Sequence, residues 1–223
     1  MPHIPSRSST THSSTAHRRT SPRAIARTSL GALAVLPALL AAGCHAPTLK
    51  PELMSTDAVV LDLPVLHQDE LYECGFVSIT ALCQYYHVEI PAAQRAELVR
   101  IAHDHKGLSG AELRDALEKL GMDVYIFPGT LDHADTGLYH HADAGRPLLV
   151  MRSVNGETNH YCLLLGYDEP MHNVFLLDPI QGRVCTPERA FENEWARADH
   201  FTLLAMPART ASLAPSASQG KAD

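Results

Sequence analysis

The stretch that decides the fold is Gln68-Asp69-Glu70-Leu71-Tyr72-Glu73-Cys74-Gly75-Phe76-Val77-Ser78-Ile79. Polar residues run up to Glu73, and then Phe76, Ile79, Leu82, Cys83 and Tyr86 recur at helical spacing. The pattern changes at Cys74, which places its thiol at the start of a helix. There the positive end of the helix dipole favours the thiolate, the form that attacks a carbonyl carbon. Pro91 opens a second helical pattern running to about Ala102. Ser109-Gly110-Ala111-Glu112 is a capping box for a third helix that stops at Gly121.

Strand patterns follow at Met122–Phe127, Pro147–Met151, Tyr161–Gly166, Val174–Leu177 and Phe201–Met206, with a short helix from Thr186-Pro187-Glu188 to about Trp195. Helices first and mainly antiparallel strands later predict an α+β domain. His160 stands at the head of one apolar run and Asp178 closes the next, with turn-rich Tyr167–Asn173 between them. A hairpin folded about Glu169 sets Leu164 opposite Val174 and His160 opposite Asp178 on one face, with Cβ atoms about 4.5–5.5 Å apart. A slip of one residue would put them on opposite faces. Thiol, imidazole and carboxylate in that order make a nucleophile, its base and the group that orients the base.

Three segments carry a resemblance to a known family. Gln68 to Gly75, with glutamine six positions before Cys-Gly, resembles the cysteine box of the C39 peptidases, the double-glycine leader peptidases of bacteriocin exporters. Asn159-His160-Tyr161-Cys162-Leu163-Leu164 is similar to the histidine box, and Asp178-Pro179-Ile180-Gln181-Gly182 to the aspartate box. The resemblance spans Leu63 to Met206. It implies a papain-like fold in which N-terminal helices carrying the cysteine pack on a sheet carrying histidine and aspartate. It also implies that Cys74 is the nucleophile, His160 the base and then the acid, Asp178 the orienting residue, and Gln68 an oxyanion donor, with no cofactor required. The family's preference for a small pair, often Gly-Gly, before the cut implies a narrow cleft. Phe76-Val77-Ser78 departs from the small or apolar residues usual after Cys-Gly. Two other activities use such residues: peptide binding without cleavage, and amide hydrolysis or acyl transfer on cell-wall material. Glu-Cys-Gly in place of the Asp-Cys-Ser of the cell-wall hydrolases weighs against the second.

The chain's first 28 residues hold Arg7, Arg18, Arg19, Arg23 and Arg27 and no acidic residue, and an apolar run from Leu30 to Ala42 follows. That is the layout of a secretory signal over 1–43, and Ala42-Gly43-Cys44 resembles a lipobox, which implies lipidation of Cys44. His45 at the next position, by analogy with bacterial lipoproteins, implies an anchor on the periplasmic face of the outer membrane. Residues 44–60 are expected to tether a domain at 61–206, and the Ala/Ser/Pro-rich tail 207–223 to be disordered. Of 18 basic residues, the five in 1–44 leave 13 against 25 acidic ones. An acidic body argues against nucleic acid as a partner and leaves a peptide or protein substrate.

His103-x-His105 and His140-His141 lack cysteine or carboxylate partners at a recognised spacing, so they are read as solvated loop histidines and not metal ligands. With Cys44 lipidated and Cys74 free, Cys83, Cys162 and Cys185 remain. Cys83 and Cys162 lie in apolar runs and are read as buried small hydrophobes, and any pairing among the three stays open.

Overall fold

A computed structural model describes residues 48–208 apart from Glu157. The expected signal segment, Cys44 and all of the tail beyond Ala208 lie outside the described residues. Helices α1 (Cys74–Tyr85), α2 (Ala92–His105) and α3 (Gly110–Lys119) precede most of the sheet. The strands are β1 (Val59–Val60), β2 (Met122–Pro128), β3 (Leu148–Val154), β4 (Thr158–Asp168), β5 (Asn173–Asp178), β6 (Gly182–Pro187) and β7 (Phe201–Pro207). Two short helices, α4 (Leu138–Asp143) and α5 (Glu188–Ala196), interrupt them.

The sheet runs β2-β7-β3-β4-β5-β6, with β1 on β4, and all of its ladders are antiparallel. Ile79, Leu82, Leu113, Leu117, Leu163 and Phe175 belong to the core between α1–α3 and one face. Leu148, Leu164, Leu176, Phe191 and Trp195 belong to the core of the other face, with α4 and α5. The alternation along β4, with Leu163 in the first core and Cys162 and Leu164 in the second, is the period-two signature of a strand buried on both sides. Among the described residues, no helix is long and apolar enough to cross a membrane.

The capping box at α3 is present: the Ser109 hydroxyl accepts from the Glu112 N–H, and the Glu112 carboxylate accepts from the Ser109 N–H. Helix α5 is held by Phe191 and Trp195, both fully buried. Truncating such an aromatic to alanine costs about 3–5 kcal/mol. Strands β1 and β6 and helix α4 have no counterpart in the sequence reading, because two to six residues are too few to establish a period.

The hairpin register also differs from expectation. Leu164 faces Leu176, not Val174, because the strands continue to Asp168 and Asn173 before they turn. A bulge between Leu164 and Gly166 then adds one residue to β4. Continued from the turn without that bulge, the register would have left His160 and Asp178 on opposite faces. The inserted residue restores the shared face, two residues away from the expected pairing. Gly166 is required beside the bulge, since a Cβ there would fall on the Val59 carbonyl of β1.

Residues 48–60, expected within a tether, lie against the domain. The Leu49 N–H donates to the Arg183 carbonyl at 3.0 Å, Ser55 Oγ donates to Asp168 at 2.7 Å, and β1 pairs with β4. The segment mixes short polar and apolar runs, and sequence spacing alone does not distinguish such a strap from a linker.

Candidate active site

Cys74 is the first residue of α1. Glu73 caps the helix without a side-chain bond, so the first-turn N–H groups stay available to an anion. Gly75 follows because α1 starts hard against β4: a Cβ there would meet the Tyr161 ring at 3.2 Å and Leu108 and Leu113 at 3.4 Å. The Cys-Gly pair therefore lets the helix bring its first thiol down to the strand that carries His160.

Half-burial pushes the Cys74 thiol up, but the bond with the His160 ring, the Tyr161 and Gly75 N–H groups and the imidazolium charge together bring it below its ordinary value. His160 is buried at the end of the sheet, and its Nε2 lies 3.1 Å from Asp178 Oδ1. That leaves Nδ1 for Cys74. Burial works against a charge on the ring, yet Cys162, Asp178 and Cys74 outweigh it and hold the pKa at about 12, far above the usual histidine range. Both shifts act in the direction of an imidazolium–thiolate pair.

Asp178 is 1% exposed and fully partnered. Its Oδ1 accepts from the Ile180 N–H at 2.8 Å and the Gln181 N–H at 3.2 Å, which builds the β5–β6 turn on the carboxylate itself. Gly182 closes that turn at φ +78°, a left-handed conformation that suits glycine. Burial raises the Asp178 pKa, but His160, the Ile180 N–H and Arg152 outweigh it and hold the carboxyl well below its usual range.

Gln68 is placed beside the site through its backbone, whose N–H donates to the Pro179 carbonyl at 3.0 Å. Its Nε2 donates to the Glu70 carbonyl at 3.0 Å, while Oε1 is buried with no partner. The nitrogen carries two hydrogens, so one remains to donate elsewhere. The same loop is tied by Glu73, whose carboxylate accepts from the Glu70 N–H at 3.2 Å and lies 3.4 Å from His103 Nε2. Tyr72, at φ +76°, holds a left-handed conformation two residues before Cys74, a strain of about 1–3 kcal/mol.

Three expectations from sequence need revision. His103 and His105 lie in the last turn of α2, against Glu73 and Glu112, and are not loop residues. His141 is in α4 and buried. Cys83, Cys162 and Cys185 are free, the first two buried and the third half-buried, and Cys162 is not inert filling. It lies 3.5 Å from Arg152 and 3.6 Å from Asp178. His160, Cys162 and Asp178 offer donor atoms within 4.8 Å of one another, a cluster that could interest a metal ion. The Arg152 guanidinium already bonds two of the three, so a cation there would meet a fixed positive charge.

Arg152 is the residue the sequence reading missed. It sits on β3 directly opposite His160, is 5% exposed, and donates to Asp178 Oδ2 at 2.9 Å and Glu194 Oε2 at 3.0 Å. A signal existed in the sequence: an arginine continuing the apolar run Leu148-Leu149-Val150-Met151 needs a buried anion.

The helix-borne thiol and the strand-borne imidazole and carboxylate are set out as the papain-like fold sets them, helices packed on an antiparallel sheet. Residues 62–209 match the Peptidase C39 family, and the chain belongs to that family. A double glycine motif protease from an AMS/PCAT transporter, solved with its leader peptide, is 18% identical, with a TM-score of 0.52, over 68% of this chain and 98% of that one. The peptidase domain of Streptococcus ComA, a bi-functional ABC transporter involved in a quorum sensing pathway, is 17% identical, with a TM-score of 0.53, over 66% and 98%. A Bacillus anthracis protein described as C39-like is 16% identical, with a TM-score of 0.52, over 67% and 98%. At these identities the likeness is one of fold. Comparison with curated proteins gives no match.

Proposed function

We propose that this protein is a cysteine peptidase that hydrolyses peptide bonds in an exported or envelope protein, with preference for small residues such as Gly-Gly before the cut. The observation that carries the reading is the unbroken chain from Cys74 through His160 to Asp178. The Cys74 thiolate adds to the scissile carbonyl, and the carbonyl electrons move to oxygen. The Cys74 N–H and the remaining Gln68 N–H stabilise that oxyanion. As it collapses, the C–N bond breaks and His160 gives its proton to the leaving amine. Neutral His160 then takes a proton from water, whose oxygen attacks the thioester. Collapse releases the acid and restores the thiolate and imidazolium.

The location proposed rests on residues 1–45, whose basic start, apolar run and Ala42-Gly43-Cys44 support export and lipidation at Cys44, and whose His45 supports sorting to the outer membrane. The domain would then work on the periplasmic face of the outer membrane, anchored through its lipid and carrying a peptide or protein substrate. Comparison of new N-termini in envelope proteins from wild-type and Cys74→Ser cells tests the activity. Cleavages lost with the serine variant are expected, and identical sets of N-termini would refute it. Metabolic labelling with a fatty acid, lost in Cys44→Ala, tests the anchor.

A further inference from the structure

We propose that Arg152 is a positioning residue for the hydrolysis, holding Asp178 ionised and turned so that Oδ1 faces the His160 ring. The proposal rests on the peptidase reading above.

Asp178 has two oxygens with different tasks. Oδ1 takes Ile180, Gln181 and His160, whereas Oδ2 takes Arg152 at 2.9 Å and Cys162 at 3.6 Å. Rotation of the carboxylate would exchange those partners, and the buried guanidinium is the strong bond that opposes it. Arg152 is fixed from behind by Glu194 of α5, whose side chain is 30% exposed. The groups facing the triad therefore come from every neighbouring element. They are Cys74 from α1, Arg152 from β3, His160, Tyr161 and Cys162 from β4, and Glu194 from α5. With the Cys74–His160 pair ionised, the charged members alternate in sign outward from Cys74: Cys74 negative, His160 positive, Asp178 negative, Arg152 positive, Glu194 negative.

Removing Arg152 takes a positive charge from this row and frees Asp178 to turn. Both effects raise the pH at which Cys74 ionises. The test follows alkylation of Cys74 by iodoacetamide against pH in the full-length protein, read by mass spectrometry of the Cys74 peptide. Circular dichroism monitors folding of each variant. Wild type is expected to react along an acid limb lying below the ordinary thiol range, and His160→Ala to lose that depression.

In Arg152→Met and Arg152→Gln the limb moves up by about one pH unit, while Arg152→Lys, which keeps the charge but not the fork that reaches both Asp178 and Glu194, moves by less. Arg152→Gln, which retains an N–H for Asp178, decides the matter if the methionine variant does not fold. Folded glutamine protein with an unmoved limb overturns the proposal, as does a lysine variant shifted as far as the glutamine one. If wild-type Cys74 titrates as an ordinary thiol indifferent to His160→Ala, the peptidase reading itself fails. That outcome is separate from a failure confined to Arg152.

Discussion

Two buried histidines of this domain meet opposite fates. His160 and His141 are 8% and 5% exposed, respectively. His160 touches a carboxylate and two sulfurs, and its pKa is driven up to about 12. His141 has no well-formed hydrogen bond at either ring nitrogen. Burial, Arg146 and His140 push it down to about 4, and the backbone and charge of Asp135 do not offset them. Burial beside cationic neighbours therefore lowers one imidazole, and anionic partners raise the other in spite of burial. The surroundings that raise His160 are built by the fold: a helix start, a bulged strand and a turn wound on Asp178.

The largest effect should come from removing the charged ring. His160→Ala is expected to lower cleavage of a Gly-Gly peptide by about 10⁴-fold or more, and Cys74→Ala to match it, with no further loss in the double variant. Additive losses would show that the two do not act as a unit. Asp178→Asn is next. The amide cannot accept from Ile180, Gln181, His160 and Arg152 together, so turnover should fall by up to about 10⁴-fold. Thermal unfolding should show about 3 kcal/mol less stability, because Arg152 is left without its buried anion.

Gln68→Ala should lower kcat by about 10²–10³ with little change in KM. A variant equal to wild type would assign Gln68 to the loop that bonds Glu70, and not to the oxyanion. The smallest effect concerns the neutral ring. The pKa of His141 is lower in the folded chain (about 4) than its ordinary 6.5, so the unfolded chain binds its proton first. Stability is thus intact above about pH 6.5 and declines as pH falls toward 4. His141→Phe should remove about 2 kcal/mol of the stability difference between pH 7 and pH 5, measured by denaturant unfolding. Asp178 has the same sign in a lower window: its contribution is present above the usual carboxylate pKa and is lost as pH falls through its depressed native value.

Much of this site is legible in the residues. Helical spacing from Phe76 onward assigns Cys74 to a helix start, and the α3 capping box and five of the strands follow from local pattern. Pairing His160 with Asp178 required the right face, and the hairpin arithmetic supplied it with the register out by two. The bulge at Leu165 could not be foreseen, because it answers the approach of β1 to Gly166, more than 100 residues upstream in the chain. Arg152 and Glu194 escaped for a related reason. Each looks like an ordinary charged residue until the β3–β4 ladder sets Arg152 opposite His160 and α5 folds over it.

The proposed chemistry turns on the charge of the His160 ring, which ¹⁵N NMR of the histidine side chains measures directly. At pH 7 the His160 ring should be protonated on both nitrogens in wild type, while His141 carries one proton down to about pH 5. A His160 ring with a single proton at pH 7, titrating near 6.5 like a free histidine, would contradict it.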